Sequence, residues 1–424
     1  MDAVDQALAS LDEVTARCAE PAVNRLFGPP GERMPVEGLT RLELQDFLWS
    51  KLPTRFVTGG YDHHEIAWAL GDLLDALQRP QYAALCRDRR THEILALWHR
   101  DHAAGAIAAA EAVEASGVLP PDTSTLAFGD VMGGDELRVY LDLSAALEAA
   151  VDMGAVRPGS ASFERDRVRA AEEFWRNGNA LSVVRRNRAE VWAAGFRADP
   201  DWLAPALSVL EQAWSLPENV ELSLVPARAL LETVGGGVNL TAAGYLPAAT
   251  AVELNDHFRW VDVVGRPPKK EGDLPQLTAL REHLSRQRLL AVRKGVLSTT
   301  AKGRACLEDD EEFWARLTDL GPRWGEFARE VIAVSAALLV MSPDAERQDL
   351  SAEVAQMVQH RWKGGGDLER DVHWCYIDWY RVGFALGWWE ARRGRWLDRL
   401  SPRGVGAASR AFWSVAAAPP TYRD

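Results

Sequence analysis

The chain has 424 residues, 47% of them hydrophobic and 26% charged, and a formal net charge of −13. Such a length makes two or three domains that each bury a core, and the acidic balance excludes a protein that coats nucleic acid over its whole surface while permitting a local basic site. Cys18, Cys86, Cys306 and Cys375 are scattered without paired spacing, which suits buried thiols in a reducing compartment better than a disulfide framework or zinc knuckle.

The first residues, Met1-Asp2-Ala3-Val4-Asp5, are acidic and carry no signal-peptide pattern, so a cytoplasmic location is expected. Arginine outnumbers lysine 42 to 6, the mark of a GC-rich bacterial genome, yet four of the six lysines fall between Lys269 and Lys302. Up to about residue 220 the pattern is helical, with apolar residues at three- and four-residue steps over Ala3 to Ala19, Thr40 to Lys51, His64 to Gln78, Thr91 to Ser116, Ser144 to Met153 and Arg165 to Phe196.

From residue 221 the order changes. A helix over Ala227 to Val234 stops at Gly235-Gly236-Gly237, and Val238-Asn239-Leu240 is a short strand. Helices follow over Pro247 to Phe258 and Pro275 to Arg288, then a hairpin of Leu289 to Val292 and Val296 to Thr299 around Arg293-Lys294-Gly295. That order, ending in a two-stranded wing, is that of a winged helix. The ending recurs: Leu368 to Leu386 is a helix, Trp388 to Ala391 and Arg395 to Leu400 pair around Arg392-Arg393-Gly394, and Ser401 starts a helix as Thr300 does. Trp324 to Met341 and Leu350 to Trp362 supply the earlier helices of this second copy. The fold class expected is therefore mainly α: a helical domain over 1–220, then two tandem winged-helix-like units with short β-hairpin wings over 221–310 and 311–424.

The segment Val238 to Glu308 resembles uncharacterised bacterial proteins related to the plasmid open-reading-frame-three family. Leu240-Thr241-Ala242-Ala243-Gly244-Tyr245-Leu246-Pro247, Leu289-Leu290 before Arg293-Lys294-Gly295, and Thr300-Ala301-Lys302-Gly303-Arg304 carry the resemblance, which covers under a fifth of the chain. It implies a winged-helix-like fold of unknown role. The aromatic, Asp- and His-containing strand motif of that family is absent, so no activity is carried over.

Between Asp256 and Arg304 eleven basic residues face five acidic ones, a local +6 against −19 for the rest. On the helix from Pro275, Leu277, Leu280 and Leu284 form the buried stripe, which turns His283 and Arg286 outward, where base edges would lie. With Lys269, Lys270 and the wing-tip pair Arg293 and Lys294, they make the candidate DNA-binding set, with double-stranded DNA as partner and phosphates supplying most of the affinity. The alternative reading is a protein-interaction scaffold. Nine of 17 tryptophans lie from Trp314 onward, and the helix from Leu368 carries Val372, Cys375, Trp379, Val382 and Leu386 on one stripe and Trp374, Ile377, Tyr380, Phe384 and Trp388 on another. Apolar nearly all round, it is expected to be buried on both sides, as a packing or oligomerisation element.

Five of nine histidines, His63, His64, His92, His99 and His102, fall within 40 residues beside Asp62, Glu65 and Asp101. Such groups can hold zinc and activate water, as in a metal-dependent hydrolase, with His99 and His102 placed on one helix face. The spacing matches no metal motif, and the solvated-face reading is preferred. Neither Gly235-Gly236-Gly237 nor Gly364-Gly365-Gly366 is followed by a phosphate-loop Lys-Ser/Thr pair, no Gly-x-Ser-x-Gly elbow occurs, and neither an enzyme site nor a cofactor is expected. No membrane partner is expected either, since the longest apolar run, Val331 to Met341, is 11 residues where a span takes about 20.

Overall fold

A computed structural model describes residues 2–56, 60–123, 125–129, 131–196, 202–260, 267–342, 347–362, 366–391 and 398–419. The fold is mainly helical with a few short strands. The chain divides into two compact units, one ending at Val183 and one running from Val184 onward.

The first unit contains α1 (Ala3–Ser10), α2 (Glu13–Phe27), α3 (Arg41–Asp46), α4 (Leu52–Arg55), α5 (His63–Ala76), α6 (Pro80–Arg87), α7 (Arg89–Arg100), α8 (His102–Ser116), α9 (Gly134–Asp152) and α10 (Phe163–Arg176). Its core forms where Ala19, Ala22, Val23 and Phe27 of α2 meet Ile66, Leu70, Leu73 and Leu74 of α5, all buried. Each large aliphatic side chain withdrawn this way stabilises the unit by about 1.5–3 kcal/mol. Two helices expected to be continuous are broken by aspartates. Asp12 accepts the Val14 and Thr15 N–H groups at 3.1 Å, and Asp101 those of Ala103 and Ala104 at 2.9 and 3.2 Å. A carboxylate that caps new backbone donors ends the old helix, so Ala3 to Ala19 and Thr91 to Ser116 are each two helices. The expected helix over Arg165 to Phe196 is likewise interrupted at Asn177 and Gly178, the latter at φ 158°.

The second unit contains α11 (Ala180–Ala194), inside which the division falls, then α12 (Ala204–Gln212), α13 (Glu221–Thr233), β1 (Val238–Asn239), α14 (Ala248–Phe258), α15 (Pro275–Arg286), β2 (Leu290–Arg293) and β3 (Val296–Thr299). It continues through α16 (Ala301–Cys306), α17 (Asp310–Thr318), α18 (Glu326–Met341), α19 (Arg347–Val358), α20 (Leu368–Ala385), β4 (Trp389–Ala391), β5 (Asp398–Leu400) and α21 (Pro402–Ala416). One hydrophobic core joins Ala189 and Leu210 to Leu284, Trp314, Val334 and Phe412. Residues 184–196 and 202–220 thus pack with the later part of the chain, and the core runs on across position 310.

The first hairpin forms as its sequence predicts. β2 and β3 pair antiparallel from Leu290↔Thr299 to Arg293↔Val296, and β1 adds to β3 through Val238↔Leu297. Lys294 and Gly295 turn at φ 51° and 78°, the two left-handed residues of a tight hairpin. In the second hairpin Trp389 pairs with Leu400; the tip expected at Arg393-Gly394 lies outside the described residues.

Both hairpins are entered and left by the same bonds. Leu289 N–H reaches Leu284 O at 2.9 Å, as Trp388 N–H reaches Gly383 O at 2.8 Å. Thr300 N–H bonds Leu289 O at 3.0 Å, and Ser401 N–H bonds Trp388 O at 2.8 Å. The Thr300 hydroxyl accepts Gly303 N–H at 3.0 Å and donates to Arg288 O; the Ser401 hydroxyl accepts Gly404 N–H at 3.1 Å and donates to Gly387 O. A Cβ on Gly303 would lie 2.4 Å from Leu289 O, and one on Gly404 2.1 Å from Trp388 O. Only glycine lets the following helix approach the strand this closely.

Candidate functional site

The residues expected to contact DNA do not share one condition. Lys269 and Lys270 are exposed in the loop before α15, where Lys269 N–H is held by Asp273 Oδ2 at 3.0 Å. Arg293 and Lys294 are exposed at the hairpin tip. The two residues on the helix are different, because α15 packs against α20.

His283, expected to point outward, is 2% exposed. Its Nε2 lies 2.8 Å from Leu317 O, and Nδ1 is buried without a partner. A carbonyl can only accept, so Nε2 carries the proton and Nδ1 is bare. Burial, with Arg286 adding, pushes the imidazole down to about 4 against the opposing bond to Leu317. Arg286 is half-buried, with its guanidinium 4.4 Å over the Trp324 ring and Asp378 of α20 at 3.7 Å. The outward assignment fails because four apolar residues per two turns define the buried side against one neighbour, whereas α15 has neighbours on more than one side. Glu271, one of the five acidic residues between Asp256 and Arg304, is fully buried; it binds Arg281 at 2.7 Å and accepts Leu246 N–H at 2.6 Å. Its partners lie 10 and 25 residues away.

α20 also departs from expectation. Val372, Tyr376, Trp379, Tyr380 and Val382 are buried, but Trp374 is 55% and Phe384 36% exposed, with Ile377 half-buried between them. At steps of three and seven residues these three fall along one side of the helix. Of the four cysteines, Cys18, Cys86 and Cys306 are buried free thiols and Cys375 is half-buried.

In the first unit the histidines are brought together in part. α7 is anchored where Trp98 Nε1–H donates to Trp49 O at 2.7 Å and Trp49 Nε1–H to Thr91 Oγ1 at 2.9 Å. The N-terminus of α5 and α7 border an open cleft of about 250 Å³ lined by Asp62, His63, His64, Leu95, Ala96, His99 and Arg100. His64 Nδ1 meets His92 Nδ1 at 2.8 Å, and His92 stacks on Trp68. Because His92 Nε2 is buried and unpartnered, the proton between the two rings belongs to His92 Nδ1, which leaves a bare acceptor rather than a stranded N–H inside. Burial lowers both His63 and His92, helped at His63 by His99 and His64 and at His92 by His64, and opposed by Asp62 and Asp88.

His102 stands apart. Asp101 breaks the helix before it, so His99 and His102 do not share a helix face, and His102 packs edge-on to Trp98. Among the described residues no group of three His, Cys, Asp or Glu side chains is placed to hold a metal ion, and no helix is long and apolar enough to cross a membrane.

No protein-family description, curated protein or solved structure matches the chain.

Proposed function

We propose that the second unit is a pair of winged-helix-like units joined through α15 and α20, and that the chain acts as a protein-interaction scaffold. The observation that carries this reading is the unequal use of the two helices. The outward side of α15 is taken up by α20, with His283 buried and Arg286 held by Asp378 and Trp324. α20 keeps Trp374, Ile377 and Phe384 along a side that none of these contacts covers. Exposed aromatic residues at the centre of a patch are the groups that supply most of the energy in protein interfaces. The occupant we assign is a second copy of the chain. Sedimentation equilibrium over a concentration series should show association that Trp374→Ser with Phe384→Ser weakens at least tenfold, with helicity unchanged. A monomer at every concentration would overturn the assignment.

A second reading, DNA binding, is favoured by the exposure of Arg293 and Lys294 at the tip and of Lys269 and Lys270 in the loop. These side chains would sit on phosphates and would not read bases. Affinity for duplex DNA would then fall with salt by roughly 0.9 log unit per log unit for each phosphate neutralised, and Arg293→Ala with Lys294→Ala would flatten the slope by about two. Sequence preference that disappears on replacing His283 and Arg286 would instead place α15 in the groove.

A further inference from the structure

Two arginines of the second unit lie against one tryptophan, and among the described residues no acidic side chain is paired with either. The Arg185 guanidinium carbon, from α11, is 4.0 Å from the centre of the Trp214 ring, and that of Arg410, from α21, is 4.5 Å away. The two carbons are therefore separated by no more than the sum of those distances. Neighbouring arginines are satisfied. Arg186 is paired with Glu211, Arg316 with Glu312, and Arg188 donates to Ala417 O. Among the described residues Arg185 and Arg410 have no such partner, and Arg410 Nε is buried without a hydrogen bond. Stacking on an indole offsets only part of the desolvation of two like charges.

Asp319, at the end of α17, is set beside the same stretch of α21, since the next residue, Leu320, donates its N–H to Ser414 Oγ at 3.2 Å, one turn beyond Arg410. It forms no ion pair with either arginine. Burial, then Arg410, brings Arg185 down to about 10. Burial pushes Asp319 up to about 6, with Glu312 of α17 adding and Arg410, Arg316 and Arg185 opposing. From α15, Gln287 donates to the Asp319 carbonyl and His283 to that of Leu317; His283, at about 4, stays neutral through the range in which Asp319 titrates.

We propose that Arg185 and Arg410, set against Trp214, bind a small tetrahedral dianion of the sulfate and phosphate class, and that Asp319 is the internal carboxylate competing with it. Arg185, at about 10, keeps its charge from pH 5 to 8. Above pH 6 the Asp319 carboxylate is ionised and repels the ligand. Below pH 6 it is neutral, so affinity rises as the pH falls, and binding takes up a proton.

Sulfate is the probe, since it is a dianion throughout this range and any pH dependence belongs to the protein. Calorimetric titration of the full chain, at ionic strength held constant with sodium chloride, should give one site, bound several-fold to about tenfold tighter at pH 5.5 than at pH 7.5. Asp319→Asn should bind at pH 7.5 as tightly as the parent does at pH 5.5, and lose the pH dependence. This variant gains affinity, so misfolding cannot imitate it. Arg410→Gln and Arg185→Gln should each weaken sulfate at least tenfold while the near-ultraviolet circular dichroism stays that of the parent. Inorganic phosphate should be displaced by sulfate from the same site. No sulfate binding to Asp319→Asn at pH 7.5, or binding that both arginine variants leave intact, would overturn the proposal.

Discussion

At the entry and exit of the two hairpins, Leu284 to Leu290 with Thr299 to Gly303 and Gly383 to Trp389 with Leu400 to Gly404, the backbone makes the same bonds with different side chains. The turn out of the helix, the bond from Thr300 or Ser401 back to the strand's first carbonyl, the hydroxyl cap and the glycine three residues on are common to both. The side chains that face a neighbour are where the two differ. The helix before the first hairpin buries His283 and holds Arg286 on Trp324, whereas the one before the second buries Trp379 and Tyr376 and leaves Trp374 outside. The residue leaving the helix differs too: Arg288 at φ 61° in the first, Gly387 at φ 69° in the second. Backbone bonds restrict only a few positions to a few residue types, and side chains elsewhere are left to the demands of their own surroundings.

The harshest way to break this likeness is at the glycines. Gly404→Ala and Gly303→Ala each drive a Cβ into a carbonyl oxygen, at 2.1 and 2.4 Å, and should each lower unfolding free energy by roughly 3 kcal/mol or more, the second-hairpin variant suffering more. Urea midpoints measure this, and a loss under about 0.5 kcal/mol at either site would show that the two junctions are not held alike.

The difference between the two helices should show in acid. His283 sits at about 4 in the fold against an ordinary 6.5, so the unfolded chain takes up its proton first. The stability it protects is complete above pH 6.5 and is lost as the pH falls towards 4, by about 3 kcal/mol. His283→Gln should be less stable than the parent at pH 7.5, yet show a shallower decline between pH 7 and 4.5. An unchanged slope would mean that His283 is solvated.

Smaller effects test the caps. Ser401→Ala and Thr300→Ala should cost about 1 kcal/mol each, and more at Ser401, which is 3% exposed and has no water to replace the lost acceptor. Smallest is the exit residue. Arg288→Gly should stabilise by up to about 1 kcal/mol and Gly387→Ala destabilise by a similar amount, since both positions are left-handed. Equal and opposite shifts in denaturation midpoint would sharpen the comparison, and shifts of the same sign would end it.

Local signals in the sequence carried the hairpin well. Alternation and Lys294-Gly295 placed β2, β3 and the tip, and Thr300 and Ser401 marked the helices after each hairpin. They carried less where two signals competed. Asp12 and Asp101 lie inside good helical periodicity, and their capping of the next turn is what divides it. Long-range placement was not legible. Whether His283 faces water depends on Leu317 and Trp324, and Arg185 and Arg410 each meet Trp214, the three coming from distant segments. The histidines fall between these cases. Their clustering within 40 residues was visible, but their division into a cleft-lining group and an isolated His102 comes from the break at Asp101.

The packing of α18 against α21 bears on how the chain is made. From Val331 to Leu339 every residue of α18 is buried, and much of its cover comes from α21, which begins at Pro402. Two arginines then tie the far end of α21 to helices synthesised earlier, Arg329 to Ser414 O at 3.1 Å and Arg188 to Ala417 O at 2.9 Å. On the ribosome α18 therefore emerges well ahead of its partner and exposes its greasiest stretch while the intervening residues are added. Nascent chains halted between Met341 and Pro402 should be held by chaperones and cut readily by protease, and release should come with the arrival of α21.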